Sequence, residues 1–311
     1  MRSAFLRRLL ELAKDDPRIV LVTGDLGFGV LDEFERTLPA QYLNAGVAEQ
    51  NMTAVATGMA LEGFQVFTYS IGNFPTLRCL EQLRNDTFYH EANVKVVSVG
   101  GGFSYGQLGM SHHATEDLSI LRALPGVVVC APGSPFETTC LLDALVRTSG
   151  PAYFRLERVG ASFVDDPTIP CVLGKARQLR DGTDCTLVTT GGVLSEVLPA
   201  ADALRERGIH CRVLNMHTIK PLDTEALSRA VAETGAICTV EENTILGGLG
   251  GAVAEFCIEL PTPPRGFRRL GIRDCYTSAV GDQDYLRRVT GIDRGGIVEA
   301  VQELLGVRKE A

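Results

Sequence analysis

The sequence lacks what would mark a membrane, fibrous or nucleic-acid-binding chain. Its longest apolar runs, such as Ile19 to Val22 and Val127 to Ala131, stop far short of the roughly 20 residues a membrane span needs. Basic residues are not in excess: the net charge is −8, which repels a polyanion and argues against nucleic acid as a main partner. The nine cysteines are odd in number and form no Cys-x-x-Cys pair, against both a disulfide framework and a zinc ribbon. Met1 to Lys14 is an Arg-containing amphipathic stretch with no long apolar core and no cleavage site of a leader, so a cytoplasmic location is expected. No low-complexity segment or 20–50-residue repeat is evident. What is present is globular material: 311 residues, 45% apolar and 22% charged, too long for one ordinary domain.

Short Val/Ile-rich runs alternate with 3.6-residue stripes, the pattern of parallel α/β layering. It predicts a helix from about Ser3, a strand at Ile19–Thr23, a helix at Asn51–Glu62, a strand at Val66–Tyr69 and a helix at Thr76–Thr87. A strand at Lys95–Gly100, a helix at Glu116–Ala123, a strand at Val127–Ala131, a helix at Pro135–Thr148 and a strand at Ala152–Leu156 follow. Asp165, Asp166, Pro167, Pro170, Gly174 and Gly182 then break the period. A second set comprises strands at Thr186–Thr190, Cys211–Asn215 and Ile237–Val240, with helices at Leu194–Gly208, Thr224–Thr234, Ala252–Leu260 and Ile297–Leu305. The expectation is two doubly wound α/β domains, residues 1–160 and 185–311, joined by a linker over 161–184.

Three constellations could carry chemistry. In Gly46-Val47-Ala48-Glu49-Gln50-Asn51-Met52, a carboxylate opens an apolar helix. The dipole alone would favour it there, but the small neighbours also permit a close approach to the backbone. Gly100-Gly101-Gly102-Phe103-Ser104-Tyr105-Gly106, running on to Ser111-His112-His113, leaves the end of a buried strand, where α/β proteins place ligands. It is neither a phosphate loop nor a dinucleotide fingerprint. The two histidines lack a third metal ligand at useful spacing, so no metal site is expected on this chain; proton shuttling or hydrogen bonding to a substrate suits them better. Tyr153-Phe154-Arg155-Leu156-Glu157-Arg158 ends a strand in two arginines, fit either for ion pairs or for gripping a phosphate or sulfonate.

In this order and spacing the blocks resemble the pyrimidine-binding and C-terminal domains of the transketolase family of thiamine diphosphate enzymes, which includes 1-deoxyxylulose-5-phosphate synthase. The resemblance covers nearly the whole chain. Besides the Glu49 block it rests on Ser70-Ile71-Gly72-Asn73-Phe74, Leu108-Gly109-Met110-Ser111-His112-His113, Met216-His217-Thr218-Ile219-Lys220-Pro221-Leu222-Asp223 and Glu241-Glu242-Asn243-Thr244-Ile245-Leu246-Gly247-Gly248-Leu249-Gly250. It implies that Glu49 hydrogen-bonds the N1′ nitrogen of the cofactor's aminopyrimidine and tunes its proton affinity, and that Phe74 stacks on that ring. Without the motif order Phe74 would read as core packing. It further implies that His112, with His113 beside it, touches a ketose donor, and that Arg158 binds the phosphate of the acceptor. Arg2 matches a second phosphate-contacting arginine, though alone it would read as part of a terminus. Asp25, in Thr23-Gly24-Asp25-Leu26, aligns with an acidic residue of a loop beside the cofactor and would otherwise be a turn residue.

The departures matter as much. The family holds Mg²⁺ and the diphosphate with Gly-Asp-Gly and a later Asn. Gly24-Asp25-Leu26 and Gly281-Asp282-Gln283 are not that motif. The resemblance therefore implies a separate diphosphate-domain subunit that supplies these ligands, two copies of each chain, and no activity from this chain alone. Leu108 stands where the family has an Asp that reads a sugar hydroxyl, and Gly100 where it has a second substrate histidine, so the substrates are not expected to be the standard pentose phosphates. The expected activity is transfer of a two-carbon ketol unit from a ketose to an aldehyde. The alternatives are a decarboxylating ligase like 1-deoxyxylulose-5-phosphate synthase, the beta subunit of a 2-oxo acid dehydrogenase, or a non-catalytic scaffold that kept the fold.

Overall fold

The structure, a computed structural model, describes residues 1–158 and 165–307. Its first unit contains strands β1 (Ile19–Thr23), β2 (Tyr42–Asn44), β3 (Gln65–Ile71), β4 (Val94–Val99), β5 (Val128–Cys130) and β6 (Ala152–Leu156). Around them lie helices α1 (Arg2–Asp15), α2 (Asp32–Thr37), α3 (Glu49–Leu61), α4 (Leu80–Gln82), α5 (Asp117–Ala123) and α6 (Pro135–Arg147). The run Ile-Val-Leu-Val in β1 puts an apolar side chain on each face in turn. Ile19 and Leu21 join Phe5, Phe67, Leu141 and Phe154 on one side, while Val20 and Val22 join Met52, Val96 and Leu118 on the other. Helices therefore cover both faces.

The second unit holds β7 (Arg177–Arg180), β8 (Cys185–Thr189), β9 (Cys211–Asn215), β10 (Thr218–Lys220), β11 (Ala236–Thr244) and β12 (Gly266–Ile272). Its helices are α7 (Leu194–Glu206), α8 (Thr224–Thr234), α9 (Leu249–Ile258), α10 (Gln283–Thr290) and α11 (Arg294–Leu304). The two sheets run β10-β5-β6-β4-β3-β1-β2 and β12-β11-β8-β9-β7, parallel except for β10 against β5 and β7 against β9. In the first sheet the chain goes from β1 out to β2 and returns to β3 on the other side of β1. The switch point, where α/β sheets open a crevice at their carboxyl edge, thus lies between β1 and β3.

Several elements differ from the sequence reading. The helix expected at Thr76–Thr87 is a 3₁₀ turn (Leu77–Cys79), α4, and a π turn (Leu83–Phe88) in succession. β2, β10 and β12 and helices α2 and α10 had no predicted counterpart: β2 and β10 have three residues each, and most of β12 is only half-buried. Within the stretch read as a linker, β7 is an ordered edge strand of the second sheet. The rest of that stretch includes 161–164, which lie outside the described residues. β10, from the second half of the sequence, completes the first sheet by pairing Thr218 with Cys130 and Lys220 with Val129. One apolar cluster runs through both units, from Val20 and Val96 to Val188, Leu214 and Leu227. All nine cysteines are free.

Charged groups also cross this seam. Glu137, wholly buried on α6, accepts from Arg177 Nη1 at 2.8 Å and from Asn215 Nδ2 at 2.7 Å. Nearby His217 is fully buried, its Nδ1 3.0 Å from Thr218 Oγ1 and its Nε2 3.6 Å from Cys171 Sγ. Burial, reinforced by the Arg177 charge, pushes the imidazole pKa down to about 4. The folded state thus refuses a proton that the unfolded chain takes up near pH 6.5, and stability falls as pH drops from there towards 4. Buried Glu241, pushed up to about 7, has the opposite sign: its contribution is lost as pH rises from about 4.5 to 7. Replacing His217 by Gln is expected to remove up to about 3 kcal/mol of acid sensitivity over that lower window. Urea titrations from pH 7 to 4 check this; parallel pH curves for the two proteins would refute it.

Candidate active site

Each sequence-predicted site residue lies at or beyond the carboxyl end of a parallel strand of the first sheet, except Arg2, the first residue of α1. Asp25 follows β1, Glu49 follows β2, Phe74 follows β3, His112 and His113 follow β4, and Arg158 follows β6. Glu49 is the first residue of α3, where the helix dipole favours a carboxylate, and it is 1% exposed. Its wall on the β1 side is Gly24, where an added Cβ would stand 3.7 Å from Glu49 Cγ. Next to it Asp25 adopts a left-handed backbone (φ 56°) and accepts from Asn44 Nδ2 at 3.0 Å. Asn44 Oδ1 in turn accepts from the Asp25 and Gly46 amides, so Asp25 closes the loops of β1 and β2 beside Glu49.

The Glu49 carboxylate meets a residue that the sequence reading passed over. Arg78 Nη1 donates to Glu49 Oε2 at 2.8 Å, and the same guanidinium lies 4.5 Å from the centroid of the Phe74 ring. Phe74 meets His112 edge-on at 5.4 Å, His112 faces Tyr105 at 6.5 Å, and Arg158 lies 5.6 Å from the Tyr105 centroid. Glu49, Arg78, Phe74, His112, Tyr105 and Arg158 form one continuous row. Ser111 Oγ sits 3.0 Å from His112 Nδ1, leaving Nε2 as the nitrogen for another partner.

The row ends in a cleft of about 670 Å³ whose lining includes Arg2, Tyr105, Leu108, Arg158 and Arg287. Arg287 is committed to Glu242, but neither Arg2 nor Arg158 forms an ion pair among the described residues. Arg2 Nε is buried without a hydrogen-bond partner, an unfilled donor that an anion would satisfy. The two arginines ending β6 take different fates. Arg155 is buried, donating Nη2 to the Glu242 carbonyl at 2.8 Å, whereas Arg158 faces the cleft.

His113 is not part of the row. It is 3% exposed, packs edge-on against Phe103 at 5.1 Å and places Nε2 3.5 Å from the Gly106 carbonyl. Burial lowers its pKa, favouring the neutral ring, and its contacts brace the loop. The glycine-rich loop lines the cleft with Ser104, Tyr105 and Gly106, while Gly101 and Gly102 make room for protein side chains. A Cβ at Gly101 would come within 2.0 Å of Arg155 Nε, and one at Gly102 within 2.3 Å of Glu242 Oε1. These glycines let side chains from β6 and the second unit reach the loop. Glu242 Oε1 accepts from the Phe103 amide and from Gln283 Nε2, and Gln283 Nε2 also donates to Glu157 Oε2, which takes the Ser104 hydroxyl. At Gly100 (φ 98°) a Cβ would strike the Tyr105 ring at 2.2 Å, so Tyr105 fills the space a side chain at position 100 would need. Arg78 and Tyr105 escaped the sequence reading because their roles depend on contacts through space; an arginine four residues after Phe74 was the one available signal for the first.

Among the described residues, no helix is long and apolar enough to cross a membrane, and no group of three or more His, Cys, Asp or Glu could hold a metal ion. Comparisons with known proteins agree with the fold. The model for the transketolase pyrimidine-binding domain matches residues 1–160, and that for the transketolase C-terminal domain matches 174–297. The chain is 39% identical to one of the subunits of the apulose-4-phosphate transketolase of Phocaeicola vulgatus, covering 98% of this chain and 97% of that one. It is 38% identical to the 6-deoxy-6-sulfo-D-fructose transketolase subunit SqwH of a Clostridium species, covering 98% and 94%. It is 33% identical to 1-deoxy-D-xylulose-5-phosphate synthase of Syntrophus aciditrophicus, spanning 99% of this chain but 48% of that one. Among solved structures, a split-gene transketolase described as an inactive beta4 tetramer superposes with a TM-score of 0.87 at 33% identity, covering 99% of this chain and 98% of that one. The transketolase of Campylobacter jejuni shares the fold at a TM-score of 0.82 and 19% identity, covering 97% of this chain and 46% of that one. With both domain models matched in order along two α/β units, the chain belongs to the transketolase family, whose enzymes depend on thiamine diphosphate.

Proposed function

We propose that this chain is the pyrimidine-domain subunit of a two-chain transketolase that moves a two-carbon ketol unit from a ketose bearing a terminal anion to an aldehyde. The observation that carries the reading is the continuous row from the buried Glu49 carboxylate, past Phe74 and His112, to Arg158 at the cleft. The residues fit an aminopyrimidine: a dry carboxylate for a ring N–H lies beside an aromatic face, and a planar nitrogen-rich cation already occupies that corner. When bound, thiamine diphosphate supplies the electron sink for breaking and making the carbon–carbon bond. Glu49 holds the proton at the ring nitrogen, and Phe74 fixes the plane of the ring. His112 Nε2 reaches a sugar hydroxyl, and Arg158 with Arg2 grips the anionic end, which bidentate guanidinium geometry suits. Asp25 keeps the loop behind Glu49 closed.

The diphosphate and Mg²⁺ fall to a partner subunit, and the cofactor lies between the chains, with two copies of each in the assembly. Exposed apolar side chains support such a cover. Phe28, Val47, Leu77, Leu108 and Met110, from 45% to 81% exposed, all sit on loops or short 3₁₀ turns at the carboxyl edge that carries the site. The two relatives named for ketose substrates act on sugars bearing a phosphate or a sulfonate. The filled space over Gly100 and the apolar Leu108 support a substrate other than the standard pentose phosphates.

The test is reconstitution with a partner chain carrying Gly-Asp-Gly and the later Asn. Only the mixture is expected to retain thiamine diphosphate and Mg²⁺ through gel filtration and to transfer ketol units to an aldehyde. Turnover by the isolated chain, or a mixture that loses the cofactor, would end the proposal. Carbon dioxide release from pyruvate with an aldehyde, without ketol transfer, would move the assignment to the decarboxylating ligase.

A further inference from the structure

Arg78 makes two contacts that together define a flat ligand. Nη1 donates to Glu49 Oε2 at 2.8 Å, and Cζ lies over the Phe74 ring, 4.5 Å from its centroid. A protonated aminopyrimidine has the same two properties, a planar delocalised cation with an in-plane N–H for a carboxylate and a π face for an aromatic ring. We propose that Arg78 is an internal stand-in for the cofactor's aminopyrimidine: it partners Glu49 and covers Phe74 in the cofactor-free chain and must swing away for the cofactor to enter.

The surroundings fit such a role. Glu49 is 1% exposed, and a carboxylate that dry is costly without a cation, so the free subunit gains from carrying its own. Arg78 is 46% exposed and sits on a three-residue 3₁₀ turn inside a segment that changes helix type twice within twelve residues, Leu77 to Phe88. A long side chain there can leave towards solvent without unfolding anything. Glu49 Oε1 stays open to a second donor, but two flat cations cannot lie over the same face of the Phe74 ring, so apparent cofactor affinity is reduced by the fraction of chains in which Arg78 is seated.

This inference rests on the cofactor reading above, and its test separates the two. The probe is 4-amino-5-hydroxymethyl-2-methylpyrimidine, the ring half of thiamine without the diphosphate, titrated into the isolated full-length chain and followed by saturation-transfer NMR. Arg78→Ala is expected to bind the probe about tenfold more tightly than wild type, as removal of a stand-in seated in about nine chains of ten requires. Adding Glu49→Gln should abolish the gain. Arg78→Ala should also lower the thermal midpoint of the isolated chain, with recovery on adding the probe or on adding Glu49→Gln. Arg78→Gln serves if the alanine variant does not fold. Equal or weaker probe binding by the Arg78 variants overturns the stand-in, and if wild type with its partner still takes up thiamine diphosphate, the cofactor reading survives. Failure of the wild-type pair to take up the cofactor overturns both.

Discussion

Replacing Glu49 by glutamine is expected to cut turnover of the reconstituted pair by roughly 10²- to 10⁴-fold, the usual worth of a positioned acid–base group. Glutamine keeps the volume and an acceptor oxygen, so the start of α3 and the packing against Gly24 survive. What the proposed role of Glu49 loses is a group able to exchange a proton with the ring nitrogen. Assembly with the partner and the thermal midpoint of the pair should therefore change little, while exchange of the cofactor's reactive carbon-bound hydrogen with deuterated solvent slows with turnover. Unchanged turnover in the Glu49→Gln pair would place the chemistry elsewhere and favour a scaffold role.

The second large effect is expected at Glu242, on β11 and far from Glu49 in sequence. Glu242 is 2% exposed, pairs with the Arg287 guanidinium through Nε, and accepts the Phe103 amide and Gln283. Truncation to alanine leaves Arg287, itself 4% exposed, with its closest counter-charge gone, and leaves a loop amide unpaired. The cost should be about 3–5 kcal/mol, read as a fall in thermal midpoint on the order of 10 °C. Because Phe103 lies in the loop that carries Tyr105 and leads to His112, hydrogen exchange over 101–112 should accelerate more than in the α1 and β1 peptides. A midpoint within error of wild type would show that Glu242 does not latch the loop. Glu242→Gln retains the acceptor and should lose only part of the effect.

The two sheets were legible in the sequence because a parallel strand covered on both faces announces itself as an uninterrupted apolar run. Ile19 to Val22 could be little else, and all of β1 is buried. The missed elements lack that signature: β12 carries Arg268 and Arg269 on a half-buried edge, and β10 is too short to show a period. The helix expected at Thr76–Thr87 has an adequate stripe, but periodicity does not register the changes of hydrogen-bond pitch that aim Arg78 at Glu49. For the site, the family resemblance carried by the motifs brought Glu49, Phe74, His112 and Arg158 into view, and the structure sets them in one row. The motifs could not distinguish His112 from His113, since adjacent residues differ only in where the chain points them. Nor could they show that the glycine-rich loop is thin because Arg155 and Glu242 need the room.

The crossing strand β10 bears on how such a polypeptide could be divided. It borders β5, and without it the N–H and C=O groups of Val129 and Cys130 would stand bare along a flat apolar margin, an invitation to stick to any passing strand. A break made near residue 160 would strand this border piece on the wrong fragment and tear the shared core from Val96 to Leu214. Gene fission or laboratory dissection at that point would be expected to yield two insoluble halves.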